Sequence, residues 1–129
     1  MSYLEGSDFS YERTKEVYGR LQEENRMYLN NYQHKAAETA SYDDPMYPIC
    51  SLMVESAELA DLFIKPWLRG DMGDPDRTEV IAEAGDVLWN LACLLGDMDI
   101  TLDEVACHNI DKLKDRAERG VIEGSGGNR

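Results

Sequence analysis

Two consecutive stretches of the chain, residues 49–64 and 80–95, repeat one pattern of apolar and acidic residues. In each stretch apolar residues recur at intervals of three and four, which is the period of an amphipathic helix. Each stretch also carries two acids three positions apart, and residues at that spacing are neighbours on a helix surface. The four acids are Glu55, Glu58, Glu83 and Asp86. The repeated pattern predicts two antiparallel partner helices whose acidic pairs meet on one flank.

The apolar stripe of each predicted helix spans about a third of its circumference, and each acidic pair lies roughly 105–165° to the same side of the stripe centre. The stripes comprise Ile49, Leu52, Met53, Ser56, Leu59, Ala60 and Phe63 on the first helix and Val80, Ile81, Ala84, Val87, Leu88, Leu91 and Leu95 on the second. If the stripes pack together, four carboxylates come close to one another. Carboxylates this close repel one another, so either the pKa of at least one of them is raised or a bound cation offsets the repulsion. A hard divalent ion with oxygen ligands fits, and Mg²⁺ is typical where phosphates share the site.

Composition supplies a competing interpretation, in which the acids are solvated helix surface. The chain has 26 acidic residues among 129 and a formal net charge of −13, so single acidic pairs at this spacing are expected by chance. Repetition of the pair at the same offset on two consecutive helices is what favours a site. The charge also argues against a nucleic-acid partner, because phosphate-backbone binding needs clustered Lys and Arg. It would repel a nucleoside triphosphate unless metal ions intervened, which favours a metal-dependent site.

The size and cysteine content of the chain indicate a single cytoplasmic domain. A chain of 129 residues can bury one core, although a thin four-helix unit usually gains by dimerising. No apolar run reaches the roughly 18 residues of a membrane span, and the polar N-terminus is no signal peptide. The three cysteines form no CxxC motif and fit a reducing cytoplasm better than a disulfide framework.

Turn and capping residues predict where the helices begin and end. Asn30-Asn31 is a plausible break or N-cap before a short helix over 32–41, and the two prolines of segment 43–48 mark a loop. The first partner helix is then expected to begin at Pro48 and to end or kink at Pro66. The next two helices are expected to start after the caps Asp76 and Thr101 and to run to about Gly96 and Arg119. An earlier helix is expected from an a/d-like seam of Tyr11, Thr14, Tyr18, Leu21, Asn25, Tyr28 and Tyr32.

Several blocks of the sequence resemble the all-α nucleoside triphosphate pyrophosphohydrolases, the MazG-like superfamily. The two acidic pairs, separated by 24 residues, resemble its ExxE…ExxD signature, and residues 83–92 resemble its ELGDVLWYLA block. Residues 109–116 resemble its N-x-x-K-L…R block, and residues 119–129 resemble the RG-x-I-x-GSGDNR tail of bacterial and phage members, with Gly127 in place of Asp. The YQ…TA.Y start is matched by Tyr32, Gln33, Thr39, Ala40 and Tyr42. The resemblance covers about residues 30–129.

The resemblance implies a fold, an assembly and a reaction. The fold is an all-α, four-helix-bundle-like unit with an extra N-terminal helix, assembled as a homodimer or homotetramer. It divides the chain into an N-terminal extension (1–29), a catalytic domain (30–119) and a glycine-rich tail (120–129). The reaction is hydrolysis of a nucleoside triphosphate between its α and β phosphates, with Mg²⁺, or Mn²⁺ as the second candidate. Glu55, Glu58, Glu83 and Asp86 would hold the metal, and one of the glutamates, Glu55 being the first candidate, would activate water.

The expected substrate-binding residues lie outside the acidic pairs. Asn109, Lys112 and Arg116 line up at i, i+3 and i+7 on the last helix, where they can bind phosphate oxygens. Arg129 in the tail is a further phosphate ligand, and Trp67 can stack on a base. Each has a plain structural alternative: basic residues late in a helix complement its dipole, the tail can fray, and a tryptophan after a helix end can be a packing plug.

Three further interpretations stay open from the sequence. dUTP and dCTP pyrophosphatases share the four-acid scaffold, as does phosphoribosyl-ATP pyrophosphohydrolase, so the base and sugar preferred are not determined. His34 is a minor candidate for a ligand contact, and Asn90 lies on the flank of Glu83 and Asp86, either as a ligand contact or as a plain exposed amide. A catalytically silent acidic helical module is the alternative from another class of protein. Such a module predicts no turnover and no loss of binding when Lys112 is changed.

Overall fold

A computed structural model describes residues 27–71 and 73–120 of the chain. These residues form four α-helices and no strand: α1 is Leu29–Thr39, α2 is Met46–Leu68, α3 is Arg77–Asp97 and α4 is Leu102–Glu118. The predicted all-α class is confirmed for this part of the chain. The expected N-terminal helix and the glycine-rich tail from residue 121 lie outside the described residues. No helix within the described ranges has the length and apolar character needed to cross a membrane.

Helices α2 and α3 form the most extensive helix pair, and they run antiparallel. Residues late in α2, such as Lys65, line the same cleft as Glu79 near the start of α3, while Glu58 faces Glu83 further along both helices. The short connection at residues 69–76 accounts for this direction, because it lets α3 turn back along α2. The antiparallel pairing predicted from the sequence is therefore confirmed.

The buried apolar core lies at the junction of α1, α3 and α4, away from the α2 face that was expected to form it. Its centre is made of small and medium side chains, and larger aromatic and aliphatic residues pack around them. The centre comprises Ala36, Ala92 and Leu102, and the surrounding residues are Tyr32, Trp89, Leu91 and Leu95. Helix α1 reaches this core because it packs on both α3 and α4.

Gln33 joins the three helices of this core through its side-chain amide. Its Nε2 donates to the carbonyl oxygens of Ala92 (3.1 Å) and Ile100 (3.0 Å), and its Oε1 accepts from the backbone N–H of Leu102 (2.9 Å). The last of these bonds satisfies one of the amide groups that the first turn of α4 leaves without a partner inside its own helix. Asn30 acts nearby in the same way, because its Oδ1 accepts from the N–H of Asp103 at 3.1 Å.

The predicted helix starts are confirmed for α3 and α4, whereas α1 begins three residues and α2 two residues earlier than predicted. Asp76 Oδ1 accepts from the N–H groups of Thr78 and Glu79, and Thr101 forms a complete capping box with Glu104. Helix α1, however, begins at Leu29, before the predicted break. Its Asn30 serves the start of α4, so the expected cap of α1 serves a different helix.

Helix α2 is longer at both ends than the proline pattern predicts. It begins at Met46 because Asp44 accepts from the N–H of Met46 at 2.9 Å, which leaves Pro48 buried within the first turn. At the other end Pro66 does not stop the helix, which continues to Leu68. A proline this close to the end removes one helical hydrogen bond, and the backbone N–H of Arg69 restores the turn by donating to Lys65 O at 3.2 Å.

The predicted apolar stripes are wrong on their outer edges. Met53 on α2 is 73% exposed, Ile81 on α3 is 58% exposed, and Ile49 is at the limit of exposure with 36%. Helix α2 packs mainly against α3, and one neighbouring helix cannot cover a stripe a third of a circumference wide. The covered side of α2 is therefore centred closer to Leu52, Glu55 and Leu59 than the pattern indicated.

Candidate metal centre and adjoining cleft

Three of the four predicted metal ligands converge between α2 and α3. Glu55, Glu58 and Glu83 each offer a carboxylate oxygen, and these three atoms lie within 4.8 Å of one another. Glu58 is exposed, whereas Glu55 and Glu83 are half-buried. Antiparallel packing brings the i, i+3 pair of α2 against the first acid of the pair on α3, as the repeated pattern predicted.

The electrostatics of Glu55 show how close the acids lie. The pKa of Glu55 is raised above its ordinary value, first because burial disfavours the charged carboxylate, and then because Glu58, Asp86 and Glu83 are nearby. A hydrogen bond between the Glu55 and Glu58 carboxyl groups acts in the same direction. In the metal-free protein the cluster is therefore repulsive, and a cation would relieve the repulsion.

Glu83 supplies a second sign that the cluster is built for a ligand. Its Oε2 atom is buried and has no hydrogen-bond partner among the described residues. A buried carboxylate oxygen without a partner costs more than about 1–3 kcal/mol, the usual figure for an uncharged group. Oxygen-only ligands suit a hard cation such as Mg²⁺, and a cation beside Glu83 Oε2 would remove this cost. The residues present therefore fit the predicted metal.

Asp86 lies beside this group and is not part of it. Asp86 is exposed, and it does not belong to the group of three acids whose oxygens lie within 4.8 Å of one another. Its charge nevertheless raises the pKa of Glu55. Asp86 also approaches Tyr32 of α1, whose pKa is raised by burial and then by Cys93 and Asp86. The charge of Asp86 therefore acts both on Glu55 of the cluster and on Tyr32 of α1, and its role as a metal ligand stays a prediction.

Asn90, one turn beyond Asp86, is only 2% exposed, so the alternative of a plain exposed amide is wrong. Its Nδ2 donates to the carbonyl oxygen of Asp86 at 2.9 Å, and its Oδ1 is buried without a hydrogen-bond partner among the described residues. Asn90 and Glu83 thus leave two buried acceptors on one side of α3.

A cleft of about 530 Å³ begins at Glu58 and Glu83 and continues toward the end of α2 and the start of α3. It is large enough for a nucleotide-sized ligand. Two of its lining residues are cations, Lys65 and Arg69, which the sequence did not single out as site residues. The full lining is Glu58, Asp61, Leu62, Lys65, Pro66, Arg69, Pro75, Asp76, Glu79 and Glu83.

The predicted substrate-binding residues do not line this cleft within one copy of the chain. Asn109, Lys112 and Arg116 lie on α4, which packs against α1, and Arg116 is buried. Trp67 is 58% exposed just past Lys65 and is not one of the lining residues. Arg129 lies outside the described residues. His34 is exposed and faces Glu38 one turn away, at 3.4 Å between Nε2 and Oε1.

Comparison with known proteins agrees with this geometry. Residues 49–121 match the MazG nucleotide pyrophosphohydrolase domain, a stretch that contains most of α2, all of α3 and α4, and all four acids. More than half of the chain is matched, and the chain belongs to this family; the domain is that of a nucleotide pyrophosphohydrolase. The "Gene 37 protein" of Mycobacterium phage L5 is 36% identical over 115 residues, which cover 80% of this chain and 100% of that protein. No solved structure matches the chain.

Proposed function

We propose that the chain is a Mg²⁺-dependent enzyme that hydrolyses a nucleoside triphosphate between its α and β phosphates, releasing a nucleoside monophosphate and pyrophosphate. The observation that carries the proposal is the convergence of Glu55, Glu58 and Glu83 within a MazG domain, where one buried carboxylate oxygen has no hydrogen-bond partner in residues 27–71 and 73–120. The family supports the class of reaction. The acid cluster supports a divalent cation as its cofactor.

The mechanism assigns different tasks to the acids. Glu58, Glu83 and Asp86, with Glu55, would hold Mg²⁺, which when bound neutralises phosphate charge and makes a nearby water more acidic. Glu55 is the first candidate to take the proton from the attacking water, because it is half-buried and its carboxylate lies beside those of Glu58 and Glu83. The water oxygen forms the new bond to the α phosphorus as the bond to the bridging oxygen breaks. Pyrophosphate leaves with the electron pair of that bond.

The same proposal includes a homo-oligomer. Helix α2 exposes Met53, Val54, Ile64 and Leu68, each by 46% or more, and these side chains gain by being covered by a second copy. An oligomer is also an arrangement in which Asn109 and Lys112 of α4 in one copy can approach the carboxylates of another, whereas Arg116 is buried within its own copy. Light scattering would give the order of the assembly.

A mixing experiment would test the shared site. Glu58→Gln and Lys112→Ala copies would each be inactive or weak alone, and mixed oligomers would recover part of the activity if the acids and the cation come from different copies. Equal mixtures that stay as weak as the separate variants would show that both residues act within one copy.

We also assign the protein to the cytoplasm. Cys50, Cys93 and Cys107 are all free thiols, which fits a reducing compartment. The substrate is a nucleotide, and a panel of nucleotides would identify the base that the enzyme prefers.

The test is hydrolysis of canonical and modified nucleoside triphosphates in ¹⁸O-labelled water with Mg²⁺. Attack at the α phosphorus puts the label in the monophosphate and releases unlabelled pyrophosphate. The panel includes dUTP, dCTP and phosphoribosyl-ATP, and the substrate hydrolysed most efficiently would show which related pyrophosphohydrolase the chain resembles in specificity. Release of labelled inorganic phosphate and a diphosphate would contradict the proposed bond, and no turnover by folded protein would support the silent binding module.

A further inference from the structure

The end of the cleft farthest from the carboxylates contains two cations on one side of α2. Lys65 lies seven residues beyond Glu58, so the two positions are about 10 Å apart along the helix axis. Arg69, the residue that follows the last turn of α2, lies one turn further. Side chains on a helix point back toward its N-terminus, so both cations extend toward the acidic end of the cleft.

The two cations differ in how the protein pairs them. Lys65 Nζ forms an ion pair with Asp61 at 2.7 Å. Arg69 has its Nε bonded to the carbonyl oxygen of Lys65 at 3.2 Å, and no described residue forms a salt bridge with it. A guanidinium held by Nε keeps its two terminal amino groups for a ligand, and Arg binds phosphate oxygens in this two-pronged way.

The acids at this end of the cleft are largely engaged elsewhere. Asp76 accepts from the first amide groups of α3, at 2.8 and 3.0 Å, and Asp61 is paired with Lys65. The walls between them include the apolar side chains of Leu62, Pro66 and Pro75. Other groups therefore engage Asp61 and Asp76, while Glu79 also lines this end, and an anion would enter on the side of Arg69.

We propose that Arg69, supported by Lys65, binds the outermost phosphate of the substrate and so selects nucleoside triphosphates over diphosphates. The inference rests on the proposed pyrophosphohydrolase activity. In this arrangement the carboxylate cluster acts at the scissile end of the polyphosphate chain. Arg69 is eleven residues beyond Glu58, about 16 Å along the helix axis, and its side chain extends back toward the cluster. A diphosphate bound at the cluster does not reach Arg69 and gains nothing from it.

The experiment compares steady-state hydrolysis of a nucleoside triphosphate and of the matching diphosphate by the full chain and its Arg69→Ala variant. The variant should raise KM for the triphosphate at least about tenfold, because a charge-assisted hydrogen bond contributes about 1.5–3 kcal/mol. The diphosphate KM should change less than about twofold, so that the preference for triphosphate is lost. Arg69→Lys should retain part of the preference, since it keeps the charge and loses the two-pronged geometry.

Arg77→Ala is the matched control. Arg77 is an exposed cation at the start of α3, close in sequence to Asp76 and Glu79, and it does not line the cleft. Its removal makes the same change in net charge and should leave the preference for triphosphate intact. Equal effects of Arg69→Ala and Arg77→Ala, or equal losses on triphosphate and diphosphate, would overturn the inference while leaving the proposed activity standing.

A binding measurement separates failure of the inference from failure of the proposed function. If the wild-type chain hydrolyses no nucleotide, calorimetric titration with inorganic tripolyphosphate and Mg²⁺ tests the subsite without turnover. Affinity at least about tenfold weaker in Arg69→Ala than in Arg77→Ala supports the subsite. Equal affinities overturn it.

Discussion

Helix α3 has two polar neighbourhoods, and they are built in opposite ways. On the side facing α1 and α4, Gln33 uses both atoms of its amide to bond α3, the connection that follows α3, and the start of α4. On the side facing α2, Glu83 has a buried oxygen that no group in the described part of the chain hydrogen-bonds, beside the carboxylates of Glu55 and Glu58. We call the first the Gln33 junction and the second the carboxylate cluster.

The contrast separates groups that stabilise the fold from groups that are available for a ligand. Satisfied buried polar groups hold one arrangement of helices, and unsatisfied or mutually repelling ones cost stability unless a ligand compensates. Replacing the acids of the cluster by uncharged residues would therefore stabilise the metal-free fold. Their presence in a MazG domain is explained by the cation and phosphates that they would serve.

The largest expected effect comes from removing one charge of the carboxylate cluster. Glu58→Gln should lower kcat/KM for the best triphosphate at least about 100-fold, because a catalytic metal contributes several kcal/mol to transition-state stabilisation. Glu58 is exposed, so the fold should stay intact, with an unchanged or higher melting temperature in the absence of metal. Steady-state assays and circular dichroism would check both parts. Activity within about twofold of wild type would remove Glu58 from the site.

The Gln33 junction should respond in the opposite sense. Gln33→Leu keeps the approximate volume and deprives two carbonyl groups and one N–H of their partner, so the free energy of unfolding should fall by about 2–3 kcal/mol. Chemical denaturation would measure the loss, with His34→Ala, an exposed neighbour, as the control. Folded Gln33→Leu protein should bind Mg²⁺ with the same affinity as the wild type. A loss no larger than that of the control would mean that the junction does not stabilise the fold.

The smallest effect concerns the pH dependence of the metal-free protein. The folded pKa of Glu55 lies above its ordinary value of 4.5, so the folded state binds the proton more tightly than the unfolded state does. The Glu55 contribution to stability is therefore most favourable below pH 4.5 and declines as pH rises through the raised pKa. In the presence of chelator, Glu55→Gln should raise the melting temperature by a few degrees at pH 7 and have little effect near pH 4.

The exposed acid Glu118 on α4 supplies the control for that measurement. Glu118→Gln should produce no pH-dependent difference from wild type between these two pH values. A difference as large as that of Glu55→Gln would mean that the overall negative charge, and not the cluster, governs the effect.

Local patterns in the sequence predicted much of the fold. The periodicity of residues 49–64 and 80–95 identified α2 and α3, and the caps Asp76 and Thr101 were correct because a cap depends on residues only three positions away. The convergence of Glu55, Glu58 and Glu83 also follows from periodicity, once two helices pack antiparallel.

Features that depend on how the helices pack against one another could not be predicted from local sequence patterns. Met53 and Ile81 fit their stripes but are exposed, because stripe width says nothing about how many neighbours a helix has. Gln33 and Asn30 bond across 59 to 73 positions of sequence, which no local pattern encodes. Lys65 and Arg69 were not predicted as site residues for the same reason, because they line a cleft only when α3 folds back against the end of α2.

The most direct test of the central claim is the melting temperature of the wild-type, Glu83→Gln and Gln33→Leu proteins as Mg²⁺ is added to metal-free samples. A ligand that binds only the folded state stabilises it by about 2.7 kcal/mol at a concentration 100 times its dissociation constant. We expect Mg²⁺ to raise the melting temperatures of the wild type and of Gln33→Leu by similar amounts and to have little effect on Glu83→Gln. An equal rise in all three proteins, or no rise in the wild type, would contradict the assignment of the carboxylate cluster as a metal centre.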